Sequence, residues 1–354
     1  MLREGASDPL APSRIGASVT IQDIARALNI SHTTVSRALA DNPKISAETK
    51  LRVRNAVEQL GYVPSASARM MRGGRSSLVG LIIPDVQNNF YATVAKTVAD
   101  CLTAHSMQLL LSVTDDDSDR ELRELRAILE TRPAGIIIVP TAAAHAETIA
   151  LLKNFETVQL IRTHSRLSAR AVIVDDRAGT FAATQHLLSY GHRRLGFIGG
   201  DTSLSTGRNR MAGFEDALKA SGLDPAAIAL GAPRPEFARH AVTSMMGSKY
   251  RPTGLVFGSA ELTLGALQGL RALRLEWPRD VSVVGYHDPA WFELAAAGIT
   301  TVRLPVQDIA ATAVSVLLSR VIEKALLDEV PDAAVNVEFA PTLALRGSTA
   351  PWQR

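Results

Sequence analysis

SHTTVSR, residues 31–37, gathers a histidine, four Ser/Thr hydroxyls and an arginine directly after an apolar turn. Small hydroxyls, together with the free N–H groups at a helix start, can approach phosphates closely. His32 and Thr33, at the tip, can donate to or accept from base edges. Arg37, one turn on, can bond a guanine in bidentate fashion. A capped surface helix in a small bundle is the alternative. Other chemistry is poorly served. There is no G-x-S-x-G, P-loop or H-E-x-x-H, and GFIGGD after an apolar run lacks the spacing of a dinucleotide loop. The run Asp115–Asp119 starts like a calcium loop. Arg120 then stands where a glycine is needed, and Arg126 where a bidentate glutamate is needed. Acidic residues favoured at a helix N-terminus account for it better. The eight histidines are scattered, with no pair at helical ligand spacing. No metal, cofactor or enzymatic activity is expected.

The elements around this stretch are short helices. Ile21, Ile24, Ala25 and Leu28 follow helical spacing, and Thr20 with Asp23 fits a capping box. After a break at Asn29–Ile30, a second helix begins at Ser31 with Val35 and Leu39 facing inward. A third starts near Ser46, presents Val53, Val57 and Leu60, and stops at Gly61. Two short helices joined by a tight turn form a helix-turn-helix, whose second helix enters the major groove. Residues 64–77, PSASARMMRGGRSS, read as a linker with two potential helical turns at Ser65–Met71.

From Leu78 the rhythm changes. LVGLIIP, MQLLLSV, AGIIIVP, TVQLI, AVIV, RLGFIGG, TGLVFG and DVSVVGY are apolar runs separated by helix-length segments. Buried strands alternating with helices mean parallel sheets with right-handed crossovers. Some nine strands exceed one compact sheet, so two α/β lobes with a cleft are expected. Ligands in such folds lie beyond the carboxyl ends of strands.

Composition bounds the partners. Residues 1–75 carry 11 Lys/Arg against 6 Asp/Glu, a net +5, whereas the whole chain is +3 and the other 279 residues therefore −2. A basic first fifth points to an anionic polymer as partner of that segment alone. Cys101 is the single cysteine, so no intrachain disulfide forms and a reducing compartment is expected. Its helical neighbours Phe90, Val94, Val98 and Leu102 suggest a buried thiol acting as a small hydrophobe. No apolar run reaches membrane-spanning length. Residues 1–18 lack a signal-like apolar stretch and read as a disordered tail. A cytoplasmic protein without a membrane partner is the expectation.

The segment from Val19 to Arg72 resembles the DNA-binding headpiece of the lactose-repressor (LacI/GalR) family almost position for position. Its family opening appears as Thr20-Ile21-Gln22-Asp23-Ile24-Ala25, its core as Thr34-Val35-Ser36-Arg37, and its closing motif as Leu60 to Ser65. GHRRLGFIGG, RNRMAGF, DVSVVGY and ITTVR extend the similarity over roughly residues 19–345. The resemblance implies an all-α helix-turn-helix headpiece at 19–63 and a hinge helix or linker at 64–77. It also implies a two-lobed α/β, periplasmic-binding-protein-like effector and dimerisation domain at 78–347. The N-lobe would comprise about 78–175 and 304–334, and the C-lobe about 176–303 and 335–347. It implies a ligand-responsive regulator, most commonly a repressor, in which a homodimer binds a palindromic operator on double-stranded DNA. His32 and Thr33 would choose the operator sequence and Arg37 would read a base, while Thr20, Ser31, Thr34 and Ser36 would hold phosphates. In the hinge, Ala68 and Arg69 match the minor-groove face. Met71 replaces the family's wedging leucine, so a weaker kink is expected. Family tetramers add a C-terminal leucine-heptad helix, whereas this chain closes with GSTAPWQR, so a dimer is the expectation.

The same resemblance implies an effector between the lobes, a sugar or sugar derivative, met by Asp85, Asn88, Phe90, Tyr91, Arg162, Arg210, Ser259, Glu261 and His287. Asp175 fits the crossover after AVIV. Several positions depart from the family pattern. Asn89 replaces a proline, Ser259-Ala260 replaces Asn-Asp with Glu261 one residue late, and Arg162 and His287 stand where acids are usual. A cleft holding Arg162, Arg210 and His287 matches an acidic ligand better than a neutral sugar. The alternative is that Arg162 pairs with a neighbouring acid and His287 is merely structural.

Overall fold

The computed structural model describes residues 19–62, 76–326 and 336–353. The tail expected over 1–18, and the hinge positions Ala68, Arg69 and Met71, lie outside the described residues. The chain divides into two units, residues 1–76 and 77–354.

The first unit holds three helices: α1 (Ile21–Leu28), α2 (His32–Leu39) and α3 (Ala47–Leu60). Each starts on a hydroxyl residue outside the helix. Thr20, Ser31 and Ser46 accept from the backbone N–H three residues on, which satisfies donors a helix start leaves free. At Thr20 the capping box is complete, because Asp23 accepts from the Thr20 N–H in return. Asn29 and Gly61 end α1 and α3 in the left-handed conformation. The core is small: Ile24, Ala25, Val35, Ala38, Val53, Ala56 and Tyr62 are buried, with Leu28, Leu39, Val57 and Leu60 packed around them.

The second unit contains two six-stranded sheets. The first orders its strands β11-β5-β4-β3-β1-β2, from β1 (Leu78–Ile83), β2 (Gln108–Val113), β3 (Gly135–Ile138), β4 (Thr157–Leu160), β5 (Arg170–Val174) and β11 (Asn336–Phe339). The second orders them β12-β10-β9-β8-β6-β7, from β6 (Leu195–Gly199), β7 (Ala227–Leu230), β8 (Gly254–Phe257), β9 (Ser282–Tyr286), β10 (Thr300–Arg303) and β12 (Thr342–Ala344). Pairing is parallel except between β10 and β12. Helices α4 (Asn89–Ala104), α5 (Ser118–Glu130) and α6 (Ala146–Leu152) connect strands of the first sheet. Helices α7 (Asp176–Ser189), α8 (Ser205–Ala220), α9 (Pro235–Met246), α10 (Ala260–Ala272) and the single turn α11 (Trp291–Leu294) belong to the second. The helix α12 (Val306–Leu326) returns to pack on β3, β4, β5 and α4.

Four strands had no apolar run to announce them. β7, β11 and β12 lie at sheet edges, and their residues are half-buried or exposed, so continuous hydrophobicity is not required of them. The fourth, β10, is buried but carries two threonines in four residues. One expected boundary is corrected. The second lobe does not resume at residue 335, because Asn336–Phe339 pairs with Ala171–Val174 in the first sheet. The third crossing therefore follows Phe339. Cys101 is also corrected: it is half-buried against the first lobe's core instead of fully enclosed.

Candidate functional site

Helix α2 shows an inner and an outer face. Val35 and Ala38 are buried, whereas Ser31, His32, Thr33 and Arg37 are exposed. Ser31 Oγ accepts from the Thr34 N–H at 3.0 Å and shares a hydrogen bond with Thr34 Oγ1 at 2.8 Å. Thr20 Oγ1 donates to Asp23 at 2.6 Å. Both hydroxyls belong to helix caps, and both remain at the surface. The side chains of His32, Thr33 and Arg37 make no hydrogen bond or ion pair within the described residues. His32 and Thr33 stand at the helix start, where N–H groups and the dipole favour an anion, and Arg37 lies in the last turn of α2.

The second candidate site lies between the lobes, beyond the carboxyl ends of the strands, as parallel sheets require. Phe90 and Tyr91 open α4 from the first lobe, and Asn88 caps that helix by accepting from the Phe90 N–H at 3.0 Å. From the second lobe come Arg210 on α8, Ser259 as the cap of α10, and His287 just after β9. Asn88, Phe90, Tyr91, Arg162, Arg210, Ser259 and His287 line one cavity of about 70 Å³. A larger space of about 350 Å³ shares Asn88, Phe90 and His287, and adds Glu261, Trp291 and Asp308. The His287 and Phe90 rings, centroids 4.6 Å apart, stand between the two. Asp85 lines neither cavity: it is exposed and accepts from the Gln87 N–H in the turn before α4.

Charge in the cleft is compensated within the chain. Arg210 is buried and donates to Asp176 at 2.9 Å and to the Gly258 carbonyl at 2.7 Å, while its guanidinium lies 4.0 Å from the Tyr286 ring centre. The Tyr286 hydroxyl also donates to Asp176, at 2.5 Å. Burial works against the Arg210 charge, but Asp176 outweighs it and holds the guanidinium above its ordinary pKa. Arg162 donates through both terminal nitrogens to Asp116. Burial, aided by Arg210, keeps His287 far below the ordinary histidine value, so the ring is neutral. Burial raises the Glu261 carboxyl, and Asp85 adds to the effect. The trio Arg162, Arg210 and His287 thus supplies no net positive charge, and the argument drawn from it for an acidic ligand does not hold.

Residues 20–65 match the model of bacterial regulatory proteins of the lacI family, and residues 184–349 match the periplasmic binding protein-like domain. In both units the chain is thus similar to the lacI family of bacterial regulatory proteins. Within that family it is similar to the transcriptional regulator GalR of Escherichia coli, 28% identical over 334 residues that cover 94% of this chain and 96% of GalR. It is likewise similar to catabolite control protein A of Priestia megaterium, 29% identical over 94% of this chain and 99% of that one. The Lac repressor dimer, solved with operator and an anti-inducer, shares the fold with a TM-score of 0.83 at 22% identity, over 94% of this chain and all of that one. GalR is by name a transcriptional regulator. No helix among the described residues is long and apolar enough to cross a membrane.

Sequence reasoning missed the acids that answer the arginines of the cleft. Asp116 sits in the acidic run, where Asp117 caps α5 and Asp115 pairs with Arg120. Asp175, singled out at the crossover, caps α7 by accepting from the Ala178 N–H, and its neighbour Asp176 meets Arg210. A second acid in each short run was the only available signal. No cluster of three or more metal-binding side chains occurs among the described residues.

Proposed function

We propose that the protein is a repressor that binds a palindromic operator as a homodimer and is switched by a small sugar-like effector held between its lobes. The unengaged, exposed side chains of His32 and Thr33 at the start of α2, and of Arg37 in its last turn, carry the DNA reading. A surface helix with only a structural role has no use for them, whereas a major groove offers each a partner. Thr20, Ser31, Thr34 and Ser36 would position the helix on phosphates, and Ala68, Arg69 and Met71 would meet the minor groove.

Two copies are favoured by an apolar surface on the second lobe. Leu264, Leu267, Leu275 and Trp277 line a depression with Leu294, which is 84% exposed. Apolar exposure of this kind calls for a partner, and a twofold pair presents two reading helices to a palindrome. The effector would contact Asn88, Phe90, Tyr91, Arg162, Arg210, Ser259, Glu261 and His287. By bridging both lobes it would shift their closure and so the spacing of the headpieces. A gel shift on inverted-repeat duplexes tests the reading. Binding should fall by about 10³- to 10⁵-fold between 50 and 200 mM salt if some 6–10 phosphates are contacted. A strictly monomeric protein that ignores every inverted repeat at low salt would overturn it.

A further inference from the structure

A third cavity, of about 170 Å³, opens where the ends of β3 and β4 face the first turn of α8. Thr141, Arg162 and His164 line it from the first lobe, and Ser203, Ser205 and Arg208 from the second. No carboxylate lines it. Three observations point to an anion here. First, α8 runs for 16 residues but starts at Leu204, which supplies no side-chain cap. The N-terminal donors of this long helix are therefore left for something else. Gly207 lets the Asp201 backbone pack against this first turn, because a Cβ there would stand 2.0 Å from the Asp201 carbonyl oxygen. Second, two buried polar atoms have no partner: Thr141 Oγ1, in a residue 3% exposed, and Arg162 Nε, in a residue 6% exposed. Asp116 occupies only the terminal nitrogens of Arg162. An orphaned buried donor is costly unless a ligand completes it. Third, Arg208 is exposed on the first turn of α8 and bonds only the Thr202 carbonyl among the described residues.

We propose that this recess binds the phosphate monoester of a small polyol, its three terminal oxygens shared among Thr141 with Arg162, the start of α8, and Arg208. The inference rests on the reading of the interlobe space as the effector site, and it names the effector's charged end. A planar carboxylate offers fewer acceptor directions than the three sides from which these donors come. Arg162 and Leu204 line both this recess and the 70 Å³ cavity beside it, so the polyol would extend toward Arg210 and Ser259. His164 adds a donor. Its Nδ1 accepts from the Arg166 N–H at 3.3 Å, which leaves the proton of a neutral ring on Nε2. Behind the recess Glu121 accepts from the Thr141 N–H at 2.7 Å, and burial raises its pKa.

Calorimetry on the full chain, with inorganic phosphate, glucose 6-phosphate and glucose at matched ionic strength, tests this. Phosphate and the phosphorylated sugar should both bind, and glucose far more weakly. Arg208→Glu should weaken phosphate binding by about tenfold or more. Lys219→Glu, the same charge reversal at the far end of α8, should leave it intact. Thr141→Val should also weaken it, by removing one donor to the phosphate. Absence of phosphate binding, or equal binding by wild type and Arg208→Glu, overturns the proposal. Glucose binding as tightly as its phosphate also overturns it, while leaving the cleft as the effector site. Operator binding, measured on the same preparation, tests the regulator reading separately.

Discussion

The imidazole of His287 lies against the ring of Phe90, centroids 4.6 Å apart and planes inclined by 34°. One ring comes from each lobe, so the pair joins the two sides of the cleft. His287 holds the left-handed backbone conformation, φ 67°, and its Nδ1 is buried without a partner. Burial and Arg210 depress its pKa far below 6.5, and burial also lowers those of His186 and His192. The folded state thus binds fewer protons than the unfolded chain as pH drops below about 6.5. Stability is full above that pH and is lost as the solution is acidified, by at most about 1.4 kcal/mol per pH unit for each histidine. His287→Asn, which tolerates the backbone, should flatten the decline of melting temperature between pH 7 and 5. An unchanged slope would show that His287 takes no part in it.

Arg210 and Asp176 are both nearly enclosed, so each depends on the other. Removing one partner strands a buried charge and should cost about 3–5 kcal/mol. Asp176→Ala should fall in that range by urea denaturation, with Tyr286 losing its acceptor as well. The double change Asp176→Ala with Arg210→Met should cost less than the sum of the two single changes, because the stranded charge disappears. Additive costs would mean that the two groups do not interact.

How much of this was legible depends on distance along the chain. The headpiece was readable because its information is local. Thr20, Ser31 and Ser46 announce helix starts, Gly61 announces an end, and the apolar spacing gives the core. The ion pairs of the cleft were not readable. Arg210 and Asp176 are 34 positions apart, and Arg162 and Asp116 are 46 apart. Nothing in either stretch says which acid the fold will bring to which base. The sequence suggested a positively charged cleft, whereas folding pairs those charges. Edge strands failed for a related reason: Ala227–Leu230 alternates half-buried and exposed residues, so it shows none of the continuous apolar character of the central strands.

Within α2, cap and reading residue should separate cleanly. Ser31→Ala removes the Thr34 N–H acceptor and should destabilise the headpiece by about 1 kcal/mol. Arg37→Ala touches no folded-state contact among the described residues, so headpiece melting should hardly move. Operator affinity should instead fall by about 1–3 kcal/mol, with relaxed preference at one base pair. Melting of the two variants, paired with binding to single-base operator variants, checks both. A uniform loss across all sequences for Arg37→Ala would make it a phosphate contact.

The chain's last described segment is tied down by His192, which is 2% exposed. Its Nε2 lies 3.1 Å from the Ala350 carbonyl, which can only accept, so a neutral ring carries its proton there. Nδ1 is then free to accept from the Thr253 hydroxyl at 3.0 Å. Ser282 Oγ also lies 3.0 Å from Nε2, and the Ala350 N–H donates to that hydroxyl at 3.1 Å. One imidazole therefore links the starts of β8 and β9 to the irregular segment around Ala350. His192→Ala would leave a cavity together with buried hydroxyls short of a partner, and should cost about 2–4 kcal/mol in urea denaturation. His192→Asn keeps one donor and one acceptor and should recover part of that loss. If alanine costs well under 1 kcal/mol, the network contributes orientation to residues 348–352 without contributing to stability.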